Sequence, residues 1–260
     1  MHHEHARHHH HEHEHAHHHD HDHHDRHHPA PGQEQRLRRV ALEQDILAKN
    51  DAIAAENRQA LAQRQIAALN VVSAPGSGKT SLLEAVIRRL SGRIDLSVIE
   101  GDQETERDAD RIRAAGCSVI QINTRSGCHL DAEMVRGALA KLAPHAQSLL
   151  LIENVGNLVC PALFDLGERH KVAVLSVTEG EDKPLKYPHM FRAASVLVLT
   201  KIDLLPHLEF DVEACLSNAR RVNPALIIFA LSAKTGDGVT TFCDWLEAQT
   251  VSASAVGAQL

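Results

Sequence analysis

The feature that most constrains the fold is a glycine-rich segment that follows an apolar run and precedes a helical one. It reads Ser73-Ala74-Pro75-Gly76-Ser77-Gly78-Lys79-Thr80 and departs from the phosphate-loop pattern at Ser73, where a glycine is usual. In such loops backbone N–H groups face the phosphates, the lysine balances their charge and the hydroxyl ligates magnesium. Lys79 and Thr80 are therefore candidate catalytic residues, although a glycine-rich turn that binds nothing is the alternative. The candidate nucleotide-binding residues are Gly76, Ser77, Gly78, Lys79, Thr80 and Ser81.

Short apolar runs alternate with polar-faced helical stretches from residue 66 onward. Near-continuous Val, Ile and Leu runs separated by helices are typical of parallel strands that are buried on both faces. We therefore predict an α/β fold of the P-loop NTPase type, a three-layer sandwich with a mostly parallel sheet and helices on both faces. The predicted strands are 67–73, 96–101, 118–122, 148–153, 171–177, 195–200 and 226–231. The predicted helices within this part are 79–91, 105–115, 131–142, 161–169, 211–221 and 239–249.

Composition divides the chain into four segments. The first is a histidine-rich arm and linker with too few apolar residues to fold, and the next lacks Gly and Pro and so favours one helix. We predict that this helix docks on the core or on a partner subunit through a narrow apolar stripe, formed by Leu42, Ile46, Lys49-Asn50, Ile53 and Leu61. The four predicted segments are the disordered arm (1–32), the helix (33–65), a GTPase domain (66–250) and a frayed, disordered tail (251–260).

Two segments at the ends of later strands indicate which nucleotide base the site prefers. They are Thr200-Lys201-Ile202-Asp203 and Ser232-Ala233-Lys234. A carboxylate at Asp203 can accept hydrogen bonds from guanine N1–H and its 2-amino group, whereas adenine would leave it unsatisfied at about 1–3 kcal/mol. The segments resemble the guanine-specificity motifs of GTPases, with Thr200 where Asn is usual. We expect this threonine to remove an amide bridge to the phosphate loop. A surface ion pair between Lys201 and Asp203 is the alternative interpretation. The candidate base-binding residues are Lys201, Asp203, Ser232, Ala233 and Lys234.

Acidic residues follow two other strands, at the edge of the sheet where a nucleotide site is expected. Asp102, within Glu100-Gly101-Asp102-Gln103, is a candidate for the magnesium shell or for positioning the attacking water. Glu153 occupies the place of the acid that contributes to the magnesium site in many phosphate-loop proteins. We therefore assign both acids catalytic roles, with Thr80 and Asp102 as magnesium ligands. Either acid alone could instead cap the next helix.

Soft metal ligands occur in two strand-to-helix loops. The first loop contains Cys128 and His129, and the second contains Cys160. Two thiolates and an imidazole suit nickel or zinc and leave a fourth position open. Without flanking motifs, free cysteines are more often small buried apolar residues.

The N-terminal arm is a further candidate metal site, because 17 of its first 28 residues are histidine. The runs are broken by Glu, Asp, Ala and Arg, which differs from an expression tag. A mobile backbone with many imidazoles would hold several divalent ions loosely without selecting among them. A solubilising arm without a metal role is the alternative. The candidate ligands are His2, His3, His5, His8, His9, His10, His11, His13, His15, His17, His18, His19, His21, His23, His24, His27 and His28.

Composition also limits the location and the partners. The formal charge of −7 gives no broad basic surface, so we expect no nucleic-acid partner. Five scattered cysteines, with no secretory signal and no apolar run of membrane-spanning length, predict a reduced, cytoplasmic protein without membrane insertion.

Taken together, these motifs resemble the HypB family of GTPases, which help to insert nickel into [NiFe]-hydrogenase. The resemblance covers about residues 40 to 248, and a histidine-rich extension like residues 1–32 occurs in some members. It is carried by residues 46–61, the phosphate loop, Glu-Gly-Asp-Gln (100–103), Gly-Cys-His-Leu-Asp-Ala (127–132), Glu-Asn-Val-Gly-Asn-Leu-Val-Cys-Pro (153–161) and Lys-Ile-Asp-Leu-Leu-Pro (201–206).

The resemblance implies a SIMIBI-class GTPase that binds GTP or GDP with Mg²⁺ and forms a homodimer favoured by GTP. It also implies a Ni²⁺ or Zn²⁺ site at Cys128, His129 and Cys160, with Asp131, Glu133 or a partner subunit as the source of a fourth ligand. The implied partners are the small accessory protein HypA and the precursor of the [NiFe]-hydrogenase large subunit. The N-terminal Cys-x-x-Cys nickel motif of some members is absent, since no cysteine precedes Cys117.

The working hypothesis is a metal relay timed by GTP. Nucleotide would order Asp102 and residues 153–156, and this motion would shift Cys160 against Cys128 and His129. Two alternatives are a urease accessory GTPase and a nickel storage protein with a vestigial nucleotide site.

Overall fold

The computed structural model describes residues 31–102, 107–125 and 127–257. The histidines of the predicted arm lie outside these ranges. The strands are β1 Ala67–Ser73, β2 Leu96–Asp102, β3 Ser118–Asn123, β4 Leu149–Glu153, β5 His170–Ser176, β6 Val196–Thr200 and β7 Ile227–Ala230. The α-helices are α1 Pro31–Gln63, α2 Lys79–Leu90, α3 Arg107–Ala114, α4 Ala132–Leu142, α5 Cys160–Leu163, α6 Lys183–Lys186, α7 Pro188–Ala193, α8 Val212–Val222 and α9 Val239–Gly257.

The seven described strands form one parallel sheet in the order β3-β2-β4-β1-β5-β6-β7. Because all of them run in the same direction, their carboxyl ends lie at one edge. Ser73, Asp102, Glu153 and Thr200 are the last residues of four of these strands. The fold thus gathers the motif residues at the edge where ligands bind in open parallel sheets.

Helices cover both faces of the sheet. Alternate residues of β1 separate into two cores: Leu69 and Val71 pack with α2 and α9, whereas Ala68 packs with α4 and the end of α1. A third cluster, on the same face as Ala68, joins β5 and β6 to α7 and α8. The predicted three-layer α/β sandwich is confirmed, and the sheet is parallel throughout the described strands.

Helix α1 docks through only part of the predicted stripe. Asn50 and Leu61 are buried as predicted, whereas Leu42 and Ile46 are 61% and 49% exposed. Ala54 and Asn57, which lie outside the predicted stripe, are buried as well. The contact is less apolar than predicted because Asn50 and Asn57 bond to backbone groups of the domain.

The helices differ from the predicted ones in three ways. The helix expected at 161–169 ends at Leu163, and a turn through Gly167 follows because Asp165 accepts a hydrogen bond from the Gly167 N–H. Helices α6 and α7 were not predicted, and a proline lies in the first turn of each. Helix α9 continues to Gly257, beyond Val251 where a frayed tail is expected, since no helix-breaking residue precedes Gly257. No helix of the described residues has the length and apolar character needed to cross a membrane.

Candidate functional site

The phosphate loop connects β1 to α2 and opens onto a cleft of about 580 Å³. Gly76 and Gly78 have φ values of +75° and +94°, which side chains with a Cβ rarely adopt. Lys79, the first residue of α2, donates from Nζ to Ser73 Oγ at 3.1 Å. The hydroxyl in the unusual first position of the motif therefore holds the lysine ammonium across the loop.

Carboxylates line the opposite wall of this cleft. Glu100 and Glu153 are paired across β2 and β4, and Asp102 lies two residues beyond Glu100. Thr80 donates from Oγ1 to Glu153 Oε1 at 2.8 Å. Glu100 Oε2 and Glu153 Oε2 are buried without a hydrogen-bond partner within the described ranges. These carboxylate oxygens and the Thr80 hydroxyl are oxygen ligands of the kind that a magnesium ion prefers.

Burial shifts the ionisation of both carboxylates, and repulsion from Glu153 adds to the shift of Glu100. Desolvation and the nearby Glu153 raise the pKa of Glu100 to about 8. Desolvation also raises the pKa of Glu153 to about 7, while Lys79 and the Thr80 hydroxyl oppose the shift. Without a cation, the cleft therefore disfavours two ionised carboxylates. No role was predicted for Glu100, and only its position near the carboxyl end of β2 could have indicated one.

Helix α3 adds two further residues to the wall of the cleft, Asp108 and Arg111. Arg111 donates from Nη2 to Ser81 Oγ at 3.2 Å and from Nε to Glu84 Oε1 at 2.9 Å. Neither residue was predictable from a motif, because the helix that follows the acidic strand end has no phosphate-loop signature.

The two base-choice segments lie side by side. Ser232 donates from Oγ to Asp203 Oδ1 at 2.6 Å, and Lys201 donates from Nζ to the Gly76 carbonyl at 2.7 Å. Thr200 donates from Oγ1 to the Ser77 carbonyl at 2.6 Å. The expected loss of a bridge to the phosphate loop is therefore wrong, because the threonine hydroxyl forms that bridge itself.

A thiol–imidazole cluster lies at the same end of the sheet. Cys128 and His129 occupy the loop between β3 and α4, and Cys160 begins α5. The sulfur atoms of the two cysteines are 2.8 Å apart, and Cys128 Sγ lies 3.5 Å from His129 Nδ1. The ligand atoms of all three residues lie within 4.8 Å of one another. Residues far apart in sequence thus converge in an arrangement of soft ligands that could hold one metal ion.

Local contacts set the ionisation of this cluster. The His129 ring packs on Phe164 with centroids 3.9 Å apart, and burial lowers the pKa of His129, which favours the neutral form that binds metals. The hydrogen bond from Cys128 raises the pKa of Cys160. Binding an ion would therefore displace thiol protons.

The two acids considered as a fourth ligand are engaged elsewhere. Asp131 accepts a hydrogen bond from the Met134 N–H at 2.8 Å as the N-cap of α4. Glu133 is paired with Arg136. Neither belongs to the cluster of three ligands.

One loop contacts both sites. The Asn154 side chain, which directly follows Glu153, accepts from the Leu130 N–H at 3.1 Å, next to His129. Two residues later, a Cβ at Gly156 would lie only 3.2 Å from Pro75 of the phosphate loop. Residues 154–156 therefore join the nucleotide cleft to the thiol–imidazole cluster. Residues 153–156 were predicted to respond to nucleotide, but no role was predicted for Asn154 itself.

Comparison with known proteins identifies the family. A family model described as the CobW/HypB/UreG nucleotide-binding domain matches residues 67–230. The hydrogenase maturation factor HypB of Rhizobium leguminosarum bv. viciae is 60% identical over 217 residues, which cover 84% of this chain and 72% of the relative. The hydrogenase/urease maturation factor HypB of Helicobacter pylori is 40% identical over 213 residues, covering 80% and 86%.

Among solved structures, HypB from Helicobacter pylori in complex with nickel matches with a TM-score of 0.73 at 37% identity. The match covers 78% of this chain and 96% of that one. The family model and the high identity over most of both chains establish the relationship. The chain belongs to the HypB family of hydrogenase maturation factors.

Proposed function

We propose that this chain is a GTP-hydrolysing nickel metallochaperone that stores nickel and helps to insert it into the large subunit of [NiFe]-hydrogenase. The observation that carries the proposal is the loop 154–156, which contacts the phosphate loop on one side and the Cys128–His129 loop on the other. Membership of the HypB family supports the maturation role, and the nickel complex of the Helicobacter pylori relative supports the metal.

In the nucleotide cleft, Lys79 and the backbone N–H groups of residues 76–81 would hold the phosphates of GTP, and Thr80 and Asp102 would hold Mg²⁺. Bound there, Mg²⁺ would neutralise charge that develops on the phosphates. Glu153, which accepts a hydrogen bond from the Thr80 hydroxyl, would contribute to the same magnesium site. Orienting the attacking water is the alternative role for Asp102. Asp203 would accept hydrogen bonds from the guanine edge, and Ser232, Ala233 and Lys234 would complete the pocket around the base.

The coupling to the metal site would pass through buried hydrogen bonds. Asn154 donates to Asn70 Oδ1 at 3.2 Å, and Asn70 donates to Glu168 Oε1 at 3.1 Å. Glu168 lies 3.6 Å from the Lys171 ammonium, which in turn donates to the carbonyls of Pro161 and Phe164. A shift of Asn154 would thus reach both metal-bearing loops, the first through Leu130 and the second through Lys171.

Nickel would be the cargo of Cys128, His129 and Cys160. Two thiolates and one imidazole satisfy three positions, so release to another protein needs no further ligand to be displaced first. The same donor set also suits zinc. We assign the histidine-rich arm to nickel storage, and we propose a homodimer, the accessory protein HypA and the hydrogenase large-subunit precursor as partners in the cytoplasm.

Linkage provides the direct test. If GTP changes nickel affinity by some factor, nickel must change GTP affinity by the same factor. Nickel titrations of the full chain, with and without a non-hydrolysable GTP analogue, should show a shift that the Lys79→Ala variant lacks. Equal nickel affinities in the two titrations of the wild type would eliminate the relay.

Storage is tested separately by deleting residues 2–28. We expect fewer bound nickel ions and a loss of hydrogenase activity only when external nickel is scarce. Equal ion counts for the two proteins would exclude a storage role for the arm.

Service to urease is a second candidate, favoured by the dual name of the Helicobacter pylori relative. Deleting the gene and assaying each nickel enzyme of the host would separate the two. Loss of hydrogenase activity alone supports the proposal, whereas loss of urease activity alone supports the second candidate.

A further inference from the structure

Helix α1 contacts the domain through two buried asparagines. Asn50 and Asn57 are 6% and 3% exposed, and they lie on the same face of the helix because they are seven residues, about two turns, apart. Ala54 lies between them on that face and is fully buried. A buried asparagine requires partners for both amide groups, so the backbone it meets is selected by hydrogen bonding rather than by apolar packing alone.

The Asn50 side chain bridges the two loops that bear the metal ligands. Its Oδ1 accepts from the Ala132 N–H at 2.9 Å, and its Nδ2 donates to the Asp165 carbonyl at 2.8 Å. Ala132 is three residues after His129, and Asp165 is five residues after Cys160. The Ala132 N–H is the first of α4 and has no partner within its own helix.

Asn57 also connects the two loops, about two turns farther along α1. Its Nδ2 donates to the Ala132 carbonyl at 2.8 Å and to the Leu166 carbonyl at 3.1 Å. The second loop then passes so close to the helix that a Cβ at Gly167 would lie 2.7 Å from Asn57 Cβ. One amide group therefore holds both loops against one face of α1.

We propose that Asn50 and Asn57 are positioning residues for the metal site, because they fix the separation between the loop of Cys128 and His129 and the loop of Cys160. This inference rests on the proposed function, in which these three side chains bind nickel. The residues touch no ligand atom. They act by holding the thiols and the imidazole in one place before the ion arrives, which reduces the ordering needed on binding.

A merely structural role of Asn50 and Asn57 would affect the stability of the fold but not the geometry of the metal site. If the asparagines only attach α1 to the domain, their loss would lower the unfolding temperature and leave the metal geometry intact. The sulfur-to-nickel charge-transfer absorption of the full chain separates these cases. The arm has no cysteine, and Cys117, Cys215 and Cys243 are buried, so the band reports on Cys128 and Cys160.

The experiment compares Asn50→Ala and Asn57→Ala with Gln59→Ala, an exposed side-chain amide on the same helix. Nickel affinity is measured by chelator competition that follows the charge-transfer band. We expect the two buried variants to lose about tenfold or more in affinity and to shift the band, while GDP affinity stays within about twofold. Gln59→Ala should match the wild type.

Asn50→Asp keeps the inference testable if an alanine variant fails to fold. The aspartate still accepts from the Ala132 N–H, the first of α4, but it cannot donate to the Asp165 carbonyl. We expect nickel affinity to fall as in the alanine variant although the protein stays folded. An Asn50→Asp protein with an unchanged band and affinity would overturn the inference. A wild type without any charge-transfer band would instead sink the proposed nickel site itself.

Discussion

At the residue scale, the Thr200 hydroxyl shows how a motif position can change its chemistry and keep its contact. Its bond of 2.6 Å to the Ser77 carbonyl is buried, and the strand end brings the shorter side chain close enough. A hydrogen bond in such a place contributes about 1 kcal/mol net, and more if its loss leaves the partner unsatisfied.

We predict that Thr200→Ala lowers GDP affinity about fivefold to tenfold, because the phosphate loop loses this attachment. Titration with a fluorescent GDP derivative measures the change. Thr200→Ser retains the hydroxyl and is the matched control, for which affinity should stay near that of the wild type. Equal weakening in both variants would show that the methyl group matters rather than the hydrogen bond.

Glu100 gives a prediction on pH. Burial raises its pKa from 4.5 to about 8, so the folded protein binds a proton that the unfolded chain releases. Protonation of Glu100 therefore stabilises the folded state fully below pH 4.5, and this contribution is lost as pH rises toward 8. The free energy of unfolding falls by no more than about 1.4 kcal/mol per pH unit in this range.

The corresponding variant is Glu100→Gln, which is uncharged at every pH. Urea unfolding without nucleotide or magnesium, at about pH 6 and about pH 8, should show a smaller loss of stability for the variant than for the wild type. Parallel pH dependence in the two proteins would contradict the raised pKa.

Motif residues were predictable one by one, whereas the residues that hold them were not. Lys79, Asp203 and Cys160 carry distinctive side chains in distinctive neighbourhoods. Asn50 and Asn154 act by bonding to backbone groups that are far away in sequence, at separations of 82 residues (Asn50 to Ala132) and 24 residues (Asn154 to Leu130). No local pattern records such a partner.

At the scale of elements, burial on both faces made the strands predictable to within about a residue at each end, because apolar runs mark them directly. The segment 161–169 was mistaken for a helix since its side chains suit one. The actual path of this segment is set by tertiary hydrogen bonds. Lys171 donates to the carbonyls of Pro161 and Phe164, and Asn50 donates to the carbonyl of Asp165. These bonds compete with continuation of the helix.

Two helix caps provide a matched pair for a prediction. Asp131 accepts from Met134 N at the start of α4, and Asp211 accepts from Ala214 N at the start of α8. Replacing either by alanine should destabilise the fold by about 1 kcal/mol. Because α4 begins three residues after His129, only Asp131→Ala should also weaken nickel binding.

Thermal unfolding and nickel competition on both variants check this expectation. If Asp211→Ala weakened nickel binding as much as Asp131→Ala, general loss of stability would explain the effect. A normal nickel affinity in Asp131→Ala would mean that the loop of Cys128 and His129 holds its shape without the start of α4.

At the scale of the whole molecule, the parallel sheet explains why the two candidate sites lie close together. Strand ends place the phosphate loop, the acids and the cysteine loops at one edge, and a single residue, Asn154, follows the Glu153 strand end and bonds to the Leu130 N–H. The distance between the sites is thus spanned by hydrogen bonds between buried groups.

We predict that Asn154→Ala uncouples the sites. In the wild type, a non-hydrolysable GTP analogue should change nickel affinity by some factor, and nickel should change the affinity for the analogue equally. In the variant each ligand should still bind, but the factor should fall toward one, because Leu130 N–H and Asn70 Oδ1 lose their shared partner. Asn154→Asp, which keeps the acceptor for Leu130 and loses the donor to Asn70, shows which branch carries the effect. If both variants retain the wild-type factor, the coupling passes through another route, and the loop 154–156 is only a neighbour of both sites.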